Sequence, residues 1–259
     1  MTVNITLSLL DTLHVIAHDA GAAIMTVYNS NFTVDSKDDR SPVTEADRRA
    51  ETLITARIKS DIGEMFPIVG EEAFADGNAP AIGDTPFWLV DPLDGTKEFI
   101  SRNGEFTVNI ALIENGRPIL GVVHAPAIQQ TYMGSPHGAS AALNGAGPVP
   151  IQCRPQPTHG LTALVSRSHK SPETEDFLKA YTIREEISSG SSLKFCVLAR
   201  GAADIYPRLG RTMEWDTAAG HAVLRAAGGS VTDLDGRDLA YGKPGFENPH
   251  FVAWGARKK

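Results

Sequence analysis

Carboxylates placed just past the ends of apolar runs are the residues in this chain whose types and spacing could do chemistry. In Trp88-Leu89-Val90-Asp91-Pro92-Leu93-Asp94-Gly95-Thr96-Lys97-Glu98-Phe99 an apolar run ends in two aspartates, with a proline between them and Gly-Thr behind. Asp91 and Asp94, with the carbonyl of Leu93, offer the hard oxygen ligands that Mg²⁺ prefers. Pro92 restricts the backbone, and Gly95 lets the main chain approach a ligand closely. Thr96 suits the start of a helix whose N–H groups would face a phosphate. An acidic turn closed by a helix cap is the competing reading of the same residues.

Three further places repeat the pattern. Glu71-Glu72 follows Phe66-Pro67-Ile68-Val69-Gly70, where a strand would present side chains to a ligand, although adjacent acids are also common on solvated surfaces. Asp47 closes Ser41-Pro42-Val43-Thr44-Glu45-Ala46-Asp47, and with Thr44 it also fits a helix capping box. Asp216, in Met213-Glu214-Trp215-Asp216-Thr217-Ala218-Ala219-Gly220, sits where a helix should begin and reads as a ligand or as an N-cap. Asp233-Leu234-Asp235-Gly236 has the Asp-x-Asp spacing of a nucleophilic aspartate pair, but between short strands it is better explained as an Asp-Gly turn.

The elements that must position these groups can be read in outline. Leu9, Leu13, Ile16, Ala17, Ala20, Ile24 and Val27 recur at helical spacing from Ser8 to Tyr28. A polar loop over Asp35–Arg40 separates this helix from a second with Ala46, Ala50, Leu53, Ile54 and Ile58 on one face. Residues 105–113 and 117–124 flank Glu114-Asn115-Gly116 as a hairpin, which Thr131–Gly134 and Ala141–Gly145 extend. The prolines between Pro148 and Gly160 mark a boundary, dividing the chain into an α+β half at 1–155 and an α/β half at 156–259. In the second half strands at Leu161–Val165, Ile183–Ile187 and Ala203–Arg208 alternate with helices from Ser171 to Ala180 and from Leu193 to Ala199. The expected class is α/β, layered helices and sheets in an α+β arrangement.

Composition narrows the function. With 259 residues, 42% hydrophobic and 21% charged, the chain can bury a sizeable core. A net charge of −7 argues against nucleic acid as a partner, because phosphate backbones need a basic face. The beginning lacks a basic n-region and an uninterrupted apolar h-region, and no run reaches about 18 apolar residues. A cytoplasmic protein without a transmembrane segment is expected, with peripheral association at the cytoplasmic face of the inner membrane left open. Cys153 and Cys196 show no ligand spacing and read as reduced packing residues.

Asp91-Pro92-Leu93-Asp94-Gly95-Thr96 together with Trp215-Asp216-Thr217-Ala218-Ala219-Gly220 resembles the two signatures of the inositol monophosphatase-like superfamily of metal-dependent phosphatases. Gly70-Glu71-Glu72 and the segment Thr44–Asp47 fall in the matching order, so the resemblance spans nearly the whole chain. Lys97-Glu98-Phe99, Ser166-Arg167-Ser168-His169, Ser191-Ser192-Leu193-Lys194-Phe195-Cys196 and Asp204-Ile205-Tyr206-Pro207-Arg208 make the chain similar, within that superfamily, to the CysQ-type 3'(2'),5'-bisphosphate nucleotidases.

The resemblance implies an inositol monophosphatase-like fold and on the order of two or three Mg²⁺ ions per site. Glu71, Asp91 and the Leu93 carbonyl would hold one ion; Asp91, Asp94 and Asp216 would hold another. A metal-activated water would attack the phosphate in line, oriented and deprotonated by Thr96 hydrogen-bonded to Asp47, while the main chain at Gly95 and Thr96 binds the phosphate. Glu71, Leu93, Asp94 and Asp216 would therefore also touch substrate. Ser168, His169, Ser192 and Lys194 are candidates to hold a second phosphate, against a plainer reading as polar residues at strand and helix ends. The implied reaction converts adenosine 3',5'-bisphosphate to AMP and phosphate, clearing a by-product of sulfate assimilation, and lithium would inhibit it. An inositol monophosphatase or other sugar phosphatase is the alternative on this scaffold, and a non-catalytic Mg²⁺-binding regulator is the rival from another class. Monomer and homodimer both stay open.

Overall fold

The computed structural model describes residues 5–30, 42–166 and 172–257, with backbone alone at 42–44. The polar loop Asp35–Arg40, together with Ser168 and His169, lies outside the described residues.

Among the described residues the strands form two sheets. The larger has seven strands in the order β1-β2-β3-β4-β5-β6-β7: Ile68–Gly70, Phe87–Asp94, Thr107–Glu114, Arg117–Ala125, Gln130–Ser135, Gly138–Leu143 and Val149–Ile151. Apart from the parallel β1–β2 pair this is an antiparallel meander. Asn115 and Gly116, both at positive φ, make the β3–β4 turn expected of an Asn-Gly pair. The smaller sheet runs β11-β12-β10-β8-β9, with β8 at Leu161–Ser166, β9 at Ile183–Ser189, β10 at Ile205–Arg208, β11 at Ser230–Asp233 and β12 at Phe251–Trp254.

Strand alternation sorts the apolar side chains into layers. Trp88 and Val90 of β2 join Ile110 and Val122 in a cluster with helices α1 (Leu7–Tyr28) and α2 (Pro42–Arg57). Phe87 and Leu89 face the other way and pack with α6 (Leu193–Ala199), α7 (Trp215–Ala226) and one face of the smaller sheet. The far face of that sheet carries Leu161, Ala163 and Val165 against Leu178 of α5 (Pro172–Leu178). Helix, sheet, helix, sheet and helix thus alternate, the layered α+β class expected from the sequence. Strand β7 ends at Ile151 and β8 starts at Leu161, so the change of sheet falls at the proline-rich segment. The middle apolar cluster nevertheless draws on both halves, Leu89 and Tyr132 from one and Phe195 and Phe251 from the other.

Local expectations shift at helix starts. Helix α2 begins at Pro42, favoured as a first helical residue, so Thr44 lies inside the first turn and not at a cap. Helix α4 (Thr96–Ile100) is capped by Gly95 at φ 99, a left-handed conformation that glycine adopts without a Cβ clash, and Thr96 is its first helical residue. Glu214 is the N-cap residue of α7, which puts Asp216 in its first turn. The Asp233–Gly236 segment is a turn, with Asp233 Oδ1 accepting the N–H groups of Asp235 and Arg237.

Candidate active site

The sheet register brings the acidic residues together. Gly70 pairs with Val90 in the parallel β1–β2 ladder, so Glu71, just past β1, and Asp91, within β2, lie side by side, and their side chains share a hydrogen bond. Past Asp91 the β2–β3 register shifts, because Pro92 has no N–H for the ladder. Asp91 Oδ1 accepts the Leu93 N–H at 3.0 Å, closing a tight turn that delivers Asp94 to the same end. Asp94 Oδ2 accepts the Ser192 N–H at 2.5 Å, and Asp216 Oδ2 accepts the Met213 N–H at 2.8 Å. Each of these aspartates has an oxygen fixed by a backbone donor. Asp47 lies on α2, buried beside Glu71, Glu72 and Glu51.

These groups repel one another in a poorly solvated place. Burial first, then Glu71, Asp94, Asp216 and Asp47, push the Asp91 carboxyl well above the usual range. Glu71, Asp94 and Asp216 rise to about 7, in each case chiefly through burial. Asp47 rises to about 9 through burial, followed by Glu71, Glu72 and Glu51. Lys194 moves the opposite way, down to about 8; burial outweighs the attraction of Asp94, as it does on Asp94 itself. A divalent cation would supply the positive charge that this donor set lacks.

The chemistry of the donors fits Mg²⁺: all are oxygens, from carboxylates and the Leu93 carbonyl, with no thiolate or imidazole. Among the described residues no group of three or more His, Cys, Asp or Glu side chains is placed as a ready metal site. Mg²⁺ does not require one, since it keeps several waters and binds through a few carboxylates and substrate phosphates.

A cavity of about 290 Å³ opens beside this cluster, and Asp94, Gly95, Thr96 and Asp216 line it together with Ser191, Lys194, Tyr206 and Arg208. Lys194 is buried, donates to the carbonyls of Ser189 (3.2 Å) and Ser191 (2.5 Å), and lies 5.3 Å from the Tyr206 ring centroid. Arg208 donates through one terminal nitrogen to the Arg211 carbonyl, while its buried Nε has no hydrogen-bond partner among the described residues.

Two sequence expectations change here. Ser192 does not line the cavity: it is 2% exposed, and its hydroxyl donates to Asn109 Oδ1 at 2.7 Å and lies 2.9 Å from Thr107 Oγ1. Its contribution is the N–H on Asp94, and Ser191 takes the lining position. Thr96 is exposed and is not hydrogen-bonded to Asp47 among the described contacts. Ser168 and His169, expected on the far side of the cavity, lie outside the described residues.

Sequence reasoning passed over Glu51, whose carboxylate accepts the N–H groups of Glu72 and Ala73, both at 2.8 Å. It thereby caps the short helix α3 (Glu71–Ala75) from α2 and fixes Glu71. A buried acid on the same helix face as Asp47, one turn on, was the available signal. Arg208 was quoted only as part of a motif, although an arginine ending a strand is a natural phosphate ligand.

Layered helices and sheets surround an oxygen-rich acidic cluster, and the Inositol monophosphatase family model matches residues 8–257. The chain belongs to the inositol monophosphatase family. A 3'(2'),5'-bisphosphate nucleotidase CysQ from Shigella flexneri is 45% identical over 246 residues, covering 94% of this chain and 98% of that protein. Its counterpart from Escherichia coli K12 is 44% identical, with the same coverage. The crystal structure of CysQ from Bacteroides thetaiotaomicron superposes with a TM-score of 0.84 at 37% identity, covering 97% of this chain and 98% of the other. An inositol monophosphatase from Zymomonas mobilis gives 0.78 at 27% identity, covering 98% and 94%.

Proposed function

We propose that this chain is a Mg²⁺-dependent phosphatase that hydrolyses the 3'-phosphate of adenosine 3',5'-bisphosphate, releasing AMP and phosphate. The observation that carries this reading is the mixed lining of the cavity: Asp94 and Asp216 share it with Lys194 and with Arg208, whose buried Nε has no hydrogen-bond partner among the described residues. A substrate with one phosphate needs only the acidic residues and their cations. Cationic side chains in the same cavity suit a second phosphate on the same molecule.

Glu71, Asp91 and the Leu93 carbonyl would hold one Mg²⁺, with Asp91, Asp94 and Asp216 holding another. When bound, such ions supply Lewis acidity, lowering the pKa of a ligated water and neutralising charge on the phosphoryl oxygens. The chain's own groups do the remainder. The N–H groups at Gly95 and Thr96, at the exposed start of α4, bind phosphate oxygens. The Thr96 hydroxyl orients the attacking water, and Asp47, whose carboxyl is held near 9 by burial and then by its acidic neighbours, accepts its proton once cations lower that value. Lys194 and Arg208 hold the phosphate that is retained, and Lys194 also fixes the Ser189–Ser191 segment that lines the cavity.

Phosphate release from adenosine 3',5'-bisphosphate and from inositol 1-phosphate, measured side by side for the wild type and Arg208→Met, tests the proposal. The wild type should prefer the nucleotide, and Arg208→Met should lose roughly 10- to 100-fold in kcat/KM on the nucleotide with little change on inositol 1-phosphate. A wild-type preference for inositol 1-phosphate would replace this reading with the sugar-phosphatase alternative.

A further inference from the structure

The turn that carries Asp216 is held from outside its own helix. Glu214 has no exposed surface, and its carboxylate accepts the N–H groups of Gly242 (2.6 Å) and Lys243 (2.9 Å) and pairs with Lys243 Nζ at 2.6 Å. Lys243 Nζ also donates to Asn248 Oδ1 at 3.2 Å. The Asn248 amide nitrogen then donates to the Met213 carbonyl (2.8 Å) and to Thr217 Oγ1 (3.1 Å), and its backbone N–H donates to the Thr212 carbonyl (2.9 Å). Met213 is the residue whose N–H fixes Asp216 Oδ2.

The directions of these bonds are determined by their partners. An inverted Asn248 amide would set its oxygen against the Met213 carbonyl and its N–H groups against the Lys243 ammonium, so the orientation follows from the network. Thr217 Oγ1 donates to the Glu214 carbonyl at 3.1 Å and therefore accepts from Asn248 and from the Tyr241 hydroxyl. The Tyr241 proton is thus committed, and His221 Nδ1, 2.9 Å away, is the donor to its oxygen. A buried network satisfied at every member is rigid, and losing one partner leaves others unpaired.

We propose that Glu214, Lys243 and Asn248 are positioning residues, a clasp of two buried side chains and the half-buried Lys243 that fixes the Thr212–Asp216 turn and through it sets the affinity of the site for its divalent cation. This rests on the reading of Asp216 as a metal ligand. None of the three lines the cavity, so they act through the backbone that orients the ligand and not on the substrate.

Mn²⁺ binding followed by electron paramagnetic resonance, and the Mg²⁺ dependence of phosphate release, would be measured for wild type, Asp216→Asn, Asn248→Ala and Lys243→Met, with circular dichroism as the check on folding. Asn248→Ala and Lys243→Met should bind Mn²⁺ about 10- to 100-fold more weakly and need correspondingly more Mg²⁺ for half-maximal rate. Their KM for the nucleotide at saturating Mg²⁺ should stay within about twofold of wild type, a split that general loosening of the fold would not give. Wild-type Mn²⁺ binding by Asp216→Asn would remove the ligand reading itself. Impaired binding by Asp216→Asn alone, with both clasp variants unaffected, would leave that reading standing and overturn the clasp. Loss of fold in both clasp variants would overturn it too, since a device acting on Asp216 must be separable from overall stability.

Discussion

Two clusters of like-titrating groups are built around the larger sheet, and they resolve the same difficulty in opposite ways. At the ends of β1 and β2, Glu71, Asp91 and Asp94 crowd with Asp216 of α7. Between α1 and strands β4 and β5, the rings of His14, His18 and His124 stack with centroid separations of 4.5 and 4.1 Å. Burial drives both clusters toward neutrality, the acids upward and the histidines downward, His124 to about 3. A neutral imidazole is both donor and acceptor, so the Thr131 hydroxyl can serve His18 Nε2 (3.1 Å) and His124 Nδ1 (2.9 Å) together. Ionised carboxylates only accept, so beyond the hydrogen bond that Glu71 and Asp91 share when one is protonated, Asp91, Asp94 and Asp216 depend on backbone donors that cover one oxygen each. Both clusters border a cavity, the acids through Asp94 and Asp216 and the histidines through a second one of about 460 Å³, so a cavity does not tell them apart. Crowding alone therefore does not make a site; what counts is whether the members can satisfy one another.

The largest expected effect follows from the acids' dependence on an outside cation. Asp91→Asn should lower phosphate release at saturating Mg²⁺ by at least about a thousand-fold, roughly 4 kcal/mol of transition-state stabilisation. The same change removes a repelling charge, so the melting temperature in chelator should hold or rise. Substantial turnover by Asp91→Asn would place the acidic cluster with the histidines, as packing only.

Lys194 tests how far the acidic cluster relies on its own chain for positive charge. Its ammonium stands beside Asp94 and ties down the Ser189 and Ser191 carbonyls, so Lys194→Ala should lose more than a phosphate contact. We expect kcat/KM to fall by about one to two orders of magnitude on the bisphosphate, the range of a charged hydrogen bond. A smaller loss should appear on inositol 1-phosphate, because the loop loosens. A loss confined to the bisphosphate would assign Lys194 to the retained phosphate alone.

How much of this was legible depends on sequence distance. The apolar run that stops at Asp91, the Asn115-Gly116 turn and the spacing of Leu13, Ile16, Ala20 and Ile24 are local patterns, and each element formed where it was expected. The paired signatures around Asp91 and Asp216 disclosed the family. What escaped is carried by contacts between distant segments: the Ser192 N–H reaches Asp94 across 98 positions, and the Ser192 side chain turns to Asn109 instead of the cavity. Thr96 looked like a cap because its neighbours permit one, but the left-handed Gly95 had already taken that role. His14 and His18, four apart on α1, carried a readable hint of a shared face, yet nothing local placed His124 behind them.

The histidine column predicts a packing effect of moderate size. A Cβ built on Gly21 of α1 would lie 2.7 Å from both Cδ2 and Nε2 of His124. That ring is stacked on His18 and hydrogen-bonded to Thr131, so it cannot step aside without breaking a contact. Gly21→Ala should cost roughly 1–3 kcal/mol by denaturant unfolding, less whatever alanine gains as a better helix former. A neutral or stabilising result would mean that the column yields easily and is not a rigid joint.

The smallest effect is the most specific to the comparison, because the two clusters carry opposite pH dependences. Acids with raised folded-state values take up protons in the native state first, so their burial costs less as pH falls. His124 does the reverse: unfolded, it binds a proton near 6.5, while folded it stays neutral down to about 3. The unfolded state therefore holds more protons throughout that interval, and the stability tied to His124 is lost as pH drops from 6.5 toward 3. Between pH 7 and pH 5 the loss is at most about 2 kcal/mol. The groups facing the ring do not reverse this sign, since His18 and His14 add repulsion, and Asp11 and Asp19 lie beside those outer histidines. Unfolding free energies measured from pH 7 to pH 5 for wild type and His124→Gln should give a steeper acid loss in the wild type, with the acidic cluster's contribution common to both and cancelling in the difference. Parallel curves would show that the column accepts a proton in place, and His124 would then belong with the groups that tolerate charge.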